Sequence, residues 1–363
     1  MKKILTIFVL ATIGGLTSAQ TSPEIVDVHP MGRIDIRSPR QFLLIGAAAS
    51  LTFDFEGSTA QIQLQSIDQW EHHNYFTLVV DEQVLGRFTV SSGVAYPYTI
   101  QANTSGKHRV TLYKATEASS GNILVDFTAT NNLIPSKVPA RKRIEFIGDS
   151  ITCGAQSDAS VFPCNEGQYF DQHNAYFAYG PELARRLNYD FVLSSVSGIG
   201  MYRNWNDEHE IEPIMPEVYA NLYLDKNSNV SYNTTVEPDI VSICLGTNDL
   251  SNGDGVKKRL PFNVKSYTTN YIEFIQNLYK RYPNTQLVIL DSPMVSGSQK
   301  ELLNEALQIV VNYFKKDKKH KPIQLFQFET VFAHGCTGHP SVADHAQMAQ
   351  QLYPFFQKIT NEK

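Results

Sequence analysis

One serine in the sequence has the surroundings expected of a nucleophile. Ser150 lies just past a predicted strand at 143–147, in the short polar motif Gly148-Asp149-Ser150. A serine hydroxyl is a weak nucleophile until a base within hydrogen-bond reach takes its proton. Ser150 therefore predicts covalent catalysis only if the rest of the chain supplies a base and groups that stabilise an oxyanion.

Three further polar motifs supply groups of that kind, each after another predicted strand. They are Ser-Val-Ser-Gly at 195–198, Gly-Thr-Asn-Asp at 246–249 and Gly-His-Pro-Ser at 338–341. The oxyanion of acyl transfer is commonly held by backbone N–H groups together with an Asn amide. We predict Ser150 as the nucleophile, His339 as the base, and an oxyanion hole made of the Ser150 and Gly198 N–H groups with the Asn248 amide.

Two of these assignments have alternatives. His345 is a second candidate base, but it lies inside a helix predicted to begin at Ser341. Residues 341–344 (Ser-Val-Ala-Asp) fit a capping box, which makes His345 a helix-face residue and favours His339. Asn248 and the aspartate that follows it are also typical of a plain turn after a strand.

The C-terminal part of the chain predicts the elements that bring the motifs together. Predicted strands alternate with predicted helices, which favours a parallel sheet covered by helices on both faces. The strands are at 143–147, 190–195, 239–245, 286–291 and 323–329, and the helices are at roughly 175–187, 265–281, 299–315 and 341–359. Ligands bind at the carboxyl ends of such strands, where all four motifs fall.

The N-terminal part has a different pattern. Short segments that alternate apolar and polar residues are separated by Gly, Asn and Ser, which is typical of an all-β sandwich or jelly roll. Examples are 51–55, 60–65, 75–80, 109–113 and 123–127. Two prolines and a basic cluster then interrupt the pattern. We predict a jelly-roll domain at 20–135, a linker at 136–142 and an α/β domain at 143–363.

The four motifs in this order resemble the sequence blocks of the SGNH (GDSL-type) hydrolases, over about 140–363. The longer phrases at 148–154 (Gly-Asp-Ser-Ile-Thr-Cys-Gly) and 197–204 (Ser-Gly-Ile-Gly-Met-Tyr-Arg-Asn) are similar to carbohydrate esterase family two. So is Met-Gly-Arg-Ile-Asp at 31–35, near the start of the β-rich part. The resemblance implies an SGNH-type (flavodoxin-like) α/β/α sandwich with a parallel five-stranded sheet, preceded by a jelly roll.

The same resemblance implies a function. Members of that family are acetylesterases, so we expect a serine esterase that removes O-acetyl groups from plant polysaccharides such as xylan or glucomannan. Catalysis would pass through an acetyl-enzyme and require no cofactor. Two alternatives stay open: an esterase acting on peptidoglycan O-acetyl groups or other short-chain esters, and a non-catalytic carbohydrate-binding protein.

One position departs from the SGNH pattern. These enzymes usually carry an aspartate two or three residues before the catalytic histidine, where this chain has Thr337 and Cys336. In some members of the resembled family a backbone carbonyl takes the role of the aspartate. We therefore predict a Ser150–His339 dyad whose imidazole is oriented by a carbonyl from near Thr337. A carbonyl can fix the tautomer but stabilises an imidazolium less than a carboxylate does.

Aromatic residues near the motifs are candidates for binding sugar rings. Tyr202 and Trp205 follow the motif at 195–198 and are predicted to contact the substrate. Trp70 is better explained as part of the sandwich core. The short linker with its stiffening prolines favours an N-terminal domain that walls the catalytic cleft over one that binds glycan independently.

The N-terminus and the charge of the chain bear on its location and partners. Two lysines precede an apolar run at 4–16, and small residues follow, so 1–19 is predicted to be a signal peptide. The run is too short for a good membrane span. We expect a secreted or periplasmic protein with no membrane insertion of the mature chain. A formal net charge of −5 argues against a nucleic-acid partner.

The four cysteines lack the spacing of a zinc site, so no metal is predicted. An exported chain meets an oxidising compartment, which allows disulfides to form. Cys153 and Cys164 flank a predicted loop, and the sequence leaves open whether they pair.

Overall fold

The structure is a computed structural model that describes residues 27–68, 71–233 and 236–361. These residues form two antiparallel sheets, followed along the chain by one parallel sheet. The predicted signal peptide and Trp70 lie outside the described residues.

Alternating burial along the strands explains the N-terminal β-sandwich. In the strand at 59–67, Ala60, Ile62 and Leu64 are buried while the residues between them are partly or fully exposed. Such side chains from both sheets meet in one core, which includes Phe53 and Val125. The strands are β1 (Val28–Met31), β2 (Ile34–Ser38), β3 (Gln41–Leu44), β4 (Ser50–Glu56), β5 (Thr59–Ile67), β6 (Asn74–Val80), β7 (Gln83–Val90), β8 (Tyr96–Gln101), β9 (Lys107–Lys114), β10 (Asn122–Asp126) and β11 (Leu133–Ile134).

A six-stranded sheet and a five-stranded sheet make up this sandwich. One sheet has the order β1-β4-β9-β6-β7, with β11 also paired to β4, and the other has the order β2-β3-β10-β5-β8. Residues 135–142, which include the proposed linker, have no regular secondary structure.

The C-terminal domain contains a five-stranded parallel sheet in the order β13-β12-β14-β15-β16. All five residues of the central strand β14 are buried, as expected for a strand covered on both faces. The strands are β12 (Arg143–Gly148), β13 (Asp190–Ser195), β14 (Ile240–Cys244), β15 (Gln286–Leu290) and β16 (Gln324–Phe326). This architecture confirms the predicted fold class.

Helices cover both faces of this sheet. Helices α5 and α6 pack on one face and helices α2 and α7 on the other, each pair against its own apolar cluster. The helices are α1 (Ser150–Cys153), α2 (Tyr179–Leu187), α3 (Met215–Val218), α4 (Thr247–Leu250), α5 (Val264–Arg281), α6 (Gly297–Phe314) and α7 (Val342–Asn361).

The last strand is shorter than predicted. The prediction covered 323–329, whereas β16 spans Gln324–Phe326 at the edge of the sheet. Beyond it the N–H of Phe328 donates to the Asp291 carboxylate at 2.8 Å rather than to a strand neighbour. This side-chain acceptor ends the ladder.

The disulfide does not join Cys153 to Cys164, the pair that the sequence suggests as a candidate. Cys164 bonds to Cys336, 172 positions later, while Cys153 and Cys244 are free and buried. The thiol of Cys153 instead donates to the Glu117 carboxylate at 3.3 Å. The observed bridge ties the loop after α1 to the segment that precedes His339.

A buried arginine of the β-sandwich holds the two domains together. Arg33 is fully buried, and its guanidinium donates to the Ser194 hydroxyl (2.9 Å) and to the carbonyls of Asn221 (2.6 Å) and Tyr219 (2.9 Å). It also lies 3.8 Å from the centre of the Tyr232 ring. A buried charge is tolerated only with such partners, so these contacts favour one relative position of the domains.

Candidate active site

The predicted nucleophile and base meet at the carboxyl edge of the parallel sheet. Ser150 is the first residue of α1, directly after β12, and His339 lies in the loop that precedes α7. His339 Nε2 is 3.0 Å from Ser150 Oγ. The Asp149 carboxylate caps α1 by accepting the N–H of Ile151 at 3.0 Å, which holds the turn that presents Ser150.

The predicted oxyanion groups lie beside this pair. Gly198 has a φ of 76°, in the left-handed region that favours glycine, and it lines the same cleft as Ser150 and Asn248. The Asn248 amide donates to the Ile199 carbonyl at 2.8 Å and to the Asp149 carboxylate at 3.2 Å. Both amide protons therefore have partners, and an oxyanion would have to share one of them.

A buried aspartate holds the Gly198 loop (residues 196–204). Asp249 accepts the backbone N–H groups of Met201 (2.9 Å), Tyr202 (2.7 Å) and Arg203 (3.3 Å). Burial raises the pKa of Asp249 to about 6, although these hydrogen bonds oppose the rise. The sequence does not predict this role of Asp249, because the loop it binds is almost 50 residues away.

Thr337, the residue predicted to orient His339, lies beside the imidazole. When Nε2 accepts the Ser150 proton, Nδ1 carries the other ring proton. The acceptor beside Nδ1 is the Thr337 hydroxyl at 3.1 Å, and that hydroxyl lies 3.4 Å from Gln156 Oε1. Thr337 is thus in contact with the imidazole through its hydroxyl, and its predicted carbonyl also acts on the ring. The backbone carbonyls of Cys336 and Thr337 act on the ring by raising its pKa.

Burial dominates the electrostatics of the candidate base. Desolvation and the neighbouring His173 lower the pKa of His339 to about 4, against the opposing effect of those carbonyls and of Glu117. The imidazole is therefore neutral, and able to accept a proton, over the whole range above about pH 5.

This shift predicts the pH dependence of catalysis. A base is active when it is deprotonated, so kcat/KM should stay constant until the pH falls to the lowered pKa of His339. The decrease in kcat/KM should therefore have its midpoint near pH 4 rather than near pH 6.5. The measurement is the initial rate of p-nitrophenyl acetate hydrolysis from pH 3.5 to 8, with far-UV circular dichroism recorded at each pH as the control for folding. An acidic midpoint at 6 or above would mean that the base is a solvated imidazole or a different group.

The alternative base occupies another environment. His345 is fully buried inside α7, and its Nδ1 accepts the N–H of Tyr179 at 3.2 Å. Its ring stacks on the ring of Tyr179, and burial lowers its pKa to about 3. His345 is not part of the cleft wall that Ser150 and His339 share.

An open cleft of about 770 Å³ surrounds Ser150 and His339. Trp205 lines it with 46% of its surface exposed, and its contact with substrate stays a prediction. Tyr202, the other predicted aromatic, is not in the cleft wall. Its ring packs against Phe262 and Tyr267, and its hydroxyl accepts a backbone N–H from the start of α5.

Tyr169 is an aromatic residue of the cleft that the sequence did not reveal. It is 45% exposed, and its ring meets the His339 ring edge-to-face at 6.3 Å. Tyr169 lies in a segment of turns and 3₁₀ helix at 159–178, where no periodicity marks a buried face or a motif. Among the described residues, no group of three or more His, Cys, Asp or Glu side chains is arranged to hold a metal ion.

The fold and the site together define a class of enzyme. Residues 146–347 match the model of the GDSL-like Lipase/Acylhydrolase family. The chain belongs to this family and is a carboxylic ester hydrolase. Residues 30–136 match the model named Carbohydrate esterase 2 N-terminal, so the particular resemblance is to the family two carbohydrate esterases.

Individual proteins resemble this chain over nearly its full length. An acetylxylan esterase / glucomannan deacetylase of Cellvibrio japonicus is 27% identical over 354 residues, which cover 94% of this chain and 93% of that protein. A family two carbohydrate esterase from Clostridium thermocellum, solved with cellohexaose, has a TM-score of 0.80 at 25% identity, covering 92% of this chain and 99% of that one. A family two enzyme from Corynascus thermopiles (Myceliophthora fergusii) has a TM-score of 0.76 at 26% identity, covering 91% and 98%.

Proposed function

We propose that this chain is a secreted serine esterase that removes O-acetyl groups from plant cell-wall polysaccharides, xylan or glucomannan among them. The observation that carries the proposal is the 3.0 Å contact between Ser150 Oγ and His339 Nε2 in an open cleft. The similarity to an acetylxylan esterase / glucomannan deacetylase and to a carbohydrate esterase solved with cellohexaose supports the choice of an acetylated polysaccharide as substrate.

The proposed reaction uses a Ser150–His339 dyad and no cofactor. His339 Nε2 takes the proton of Ser150 while Oγ attacks the acetyl carbonyl. The N–H groups of Ser150 and Gly198, with the Asn248 amide, stabilise the oxyanion. Protonated His339 then gives its proton to the departing sugar hydroxyl. In the second half His339 activates a water molecule, which releases acetate and restores Ser150.

The walls of the cleft suit a hydroxyl-rich ligand. Trp205 and Tyr169 expose ring faces that can lie against a sugar. Polar side chains between them, including Glu212 and Gln299, offer hydrogen bonds to hydroxyl groups. Because the cleft is open, a polysaccharide chain could lie across Ser150 without having to pass end-first through a closed channel.

Export belongs to the proposal because the predicted signal peptide at 1–19 supports it. Those residues lie outside the part of the chain that the structure describes. Within that part, no helix combines the length and the apolar character that crossing a bilayer requires.

Acetate release from acetylated xylan, acetylated glucomannan and O-acetylated peptidoglycan tests the substrate class. We expect the two plant polysaccharides to be deacetylated at least about tenfold faster than peptidoglycan, a preference that corresponds to ~1.4 kcal/mol. The Ser150→Ala variant is the blank for spontaneous hydrolysis.

Each other outcome of this assay favours an alternative. Faster release from peptidoglycan would replace the plant polysaccharide with that substrate. Binding to xylan or glucomannan without acetate release from any substrate would identify a non-catalytic carbohydrate-binding protein.

A further inference from the structure

A carboxylate of the β-sandwich reaches into the catalytic domain. Glu117 lies in the connection between β9 and β10 and is 1% exposed. Its side chain leaves the sandwich and ends among residues of the C-terminal domain. No motif marks this position in the sequence.

Glu117 contacts two of the segments that form the candidate site. Its Oε2 atom accepts the backbone N–H of Ser197 at 2.5 Å and the thiol of Cys153 at 3.3 Å. Ser197 directly precedes Gly198, the candidate oxyanion donor, and Cys153 ends the short helix that begins at Ser150. One carboxylate oxygen therefore links the Gly198 loop to the helix of the nucleophile.

The second carboxylate oxygen faces a histidine next to the candidate base. His173 Nδ1 accepts the N–H of Gln156 at 3.3 Å, so its Nε2 carries the proton that points at Glu117 Oε1, 3.4 Å away. The Tyr169 ring meets His173 at 4.9 Å and His339 at 6.3 Å, each edge-to-face. Glu117, His173, Tyr169 and His339 are thus in a continuous line of contacts.

The charge of Glu117 is kept despite its burial. Burial alone would raise the pKa of this carboxyl, but the hydrogen bonds from His173 and Ser197 outweigh it and lower the pKa to about 2. Behind it the buried side chain of Lys114, whose pKa burial lowers to about 7, donates to the carbonyls of Glu117 (2.6 Å) and Thr116 (3.2 Å). This connection of the sandwich is therefore fixed by polar contacts on both sides.

We propose that Glu117 is a positioning residue for ester hydrolysis, which the N-terminal domain contributes to the site of the C-terminal domain. Its carboxylate holds the N–H of Ser197, one residue before Gly198, and so fixes the backbone whose next N–H, that of Gly198, points at the oxyanion formed on Ser150. The inference rests on the proposed function and deepens it, since it gives the β-sandwich a role in the reaction. Oriented donors of this kind are effective only within narrow limits of geometry.

A purely structural role is the alternative, and the chain offers a matched control for it. Glu145 is also buried at the domain junction, where it accepts the hydroxyls of Ser194 (2.5 Å) and Tyr219 (2.8 Å), 3.9 Å from Arg33. These contacts include neither Ser197 nor the helix of Ser150. Removing its charge tests what a buried carboxylate at this junction does without touching the Gly198 loop.

The experiment compares Glu117→Gln with Glu145→Gln in the full chain, on p-nitrophenyl acetate and on an acetylated xylo-oligosaccharide. A glutamine at 117 presents one oxygen and one NH₂ to N–H donors on both sides, so either the Gly198 loop or His173, which contacts the Tyr169 ring beside His339, must shift. We expect kcat to fall by roughly 30- to 100-fold, as a displacement of about 1 Å can cost, with KM within about threefold. Affinity for a phosphonate transition-state mimic should fall by the same factor. Glu145→Gln should lower Tm and leave kcat within about threefold.

Glu117→Asp is the second variant, because it keeps the negative charge that faces His173 and only shortens the side chain. It should lower kcat by about tenfold or more. A kcat for Glu117→Gln no lower than that of Glu145→Gln would overturn the proposal, as would a wild-type kcat for Glu117→Asp. Should Glu117→Gln fail to fold, Glu117→Asp decides alone. An inactive wild type, or an active Ser150→Ala, would contradict the proposed function instead.

Discussion

Replacement of Ser150 by alanine is expected to abolish ester hydrolysis, with kcat lower by about 10⁵- to 10⁶-fold. The change removes the only atom of residue 150 that lies 3.0 Å from His339 Nε2, and with it the covalent route through an acetyl-enzyme. The variant can still stabilise the oxyanion that forms when water attacks the ester directly. This contribution is a small part of the rate enhancement of the wild-type enzyme.

The measurement is acetate release from acetylated xylan, together with p-nitrophenol release from the acetate ester. Ser160→Ala is the matched control, since Ser160 is an exposed serine in the loop after α1 and should retain wild-type rates. Circular dichroism should be unchanged in both variants, because neither serine belongs to an apolar core cluster. If Ser150→Ala kept more than about one per cent of the wild-type rate, the nucleophile would be another group.

The fold and the Ser150–His339 pair were accessible from the sequence because both depend on local patterns. The nearly all-apolar run at 239–245 predicts a central strand, and strand–helix alternation predicts a parallel sheet. In such a sheet the carboxyl ends of the strands share one edge, so motifs far apart in sequence must converge. The contact between Ser150 and His339, 189 positions apart, follows from that geometry.

The residues that the sequence did not reveal are held by contacts between irregular segments. Glu117 and Ser197 are 80 positions apart, and neither is placed by a periodic element. The sequence spacing makes Cys153, eleven positions away, a candidate partner for Cys164, yet Cys164 bonds to Cys336 because the fold returns the segment before α7 to the loop after α1. Tyr202 also follows Gly198 in sequence, but the loop whose N–H groups Asp249 binds places this ring against Phe262 rather than in the cleft wall.

The choice between the two histidines gives the second large effect. His339→Ala should lower kcat by about 10⁴- to 10⁶-fold, because no other base lies within hydrogen-bond distance of Ser150 Oγ among the described residues. His345→Ala should leave kcat within about tenfold and instead destabilise the fold. It leaves the buried N–H of Tyr179 without an acceptor, at a cost of about 1–3 kcal/mol, and opens a cavity inside the core.

Both variants should be measured for kcat on p-nitrophenyl acetate and for Tm. We expect one substitution to lower mainly kcat and the other to lower mainly Tm. The catalytic variant should have low kcat and near-native Tm, and the core variant the reverse, because His339 lies in a loop at the cleft whereas His345 is fully buried. Added imidazole offers a further distinction: it can occupy the space left by the His339 ring and restore part of the rate, but it has no route to the interior site of His345. An inactive but stable His345→Ala beside an active His339→Ala would exchange the two assignments and remove the dyad proposed for Ser150.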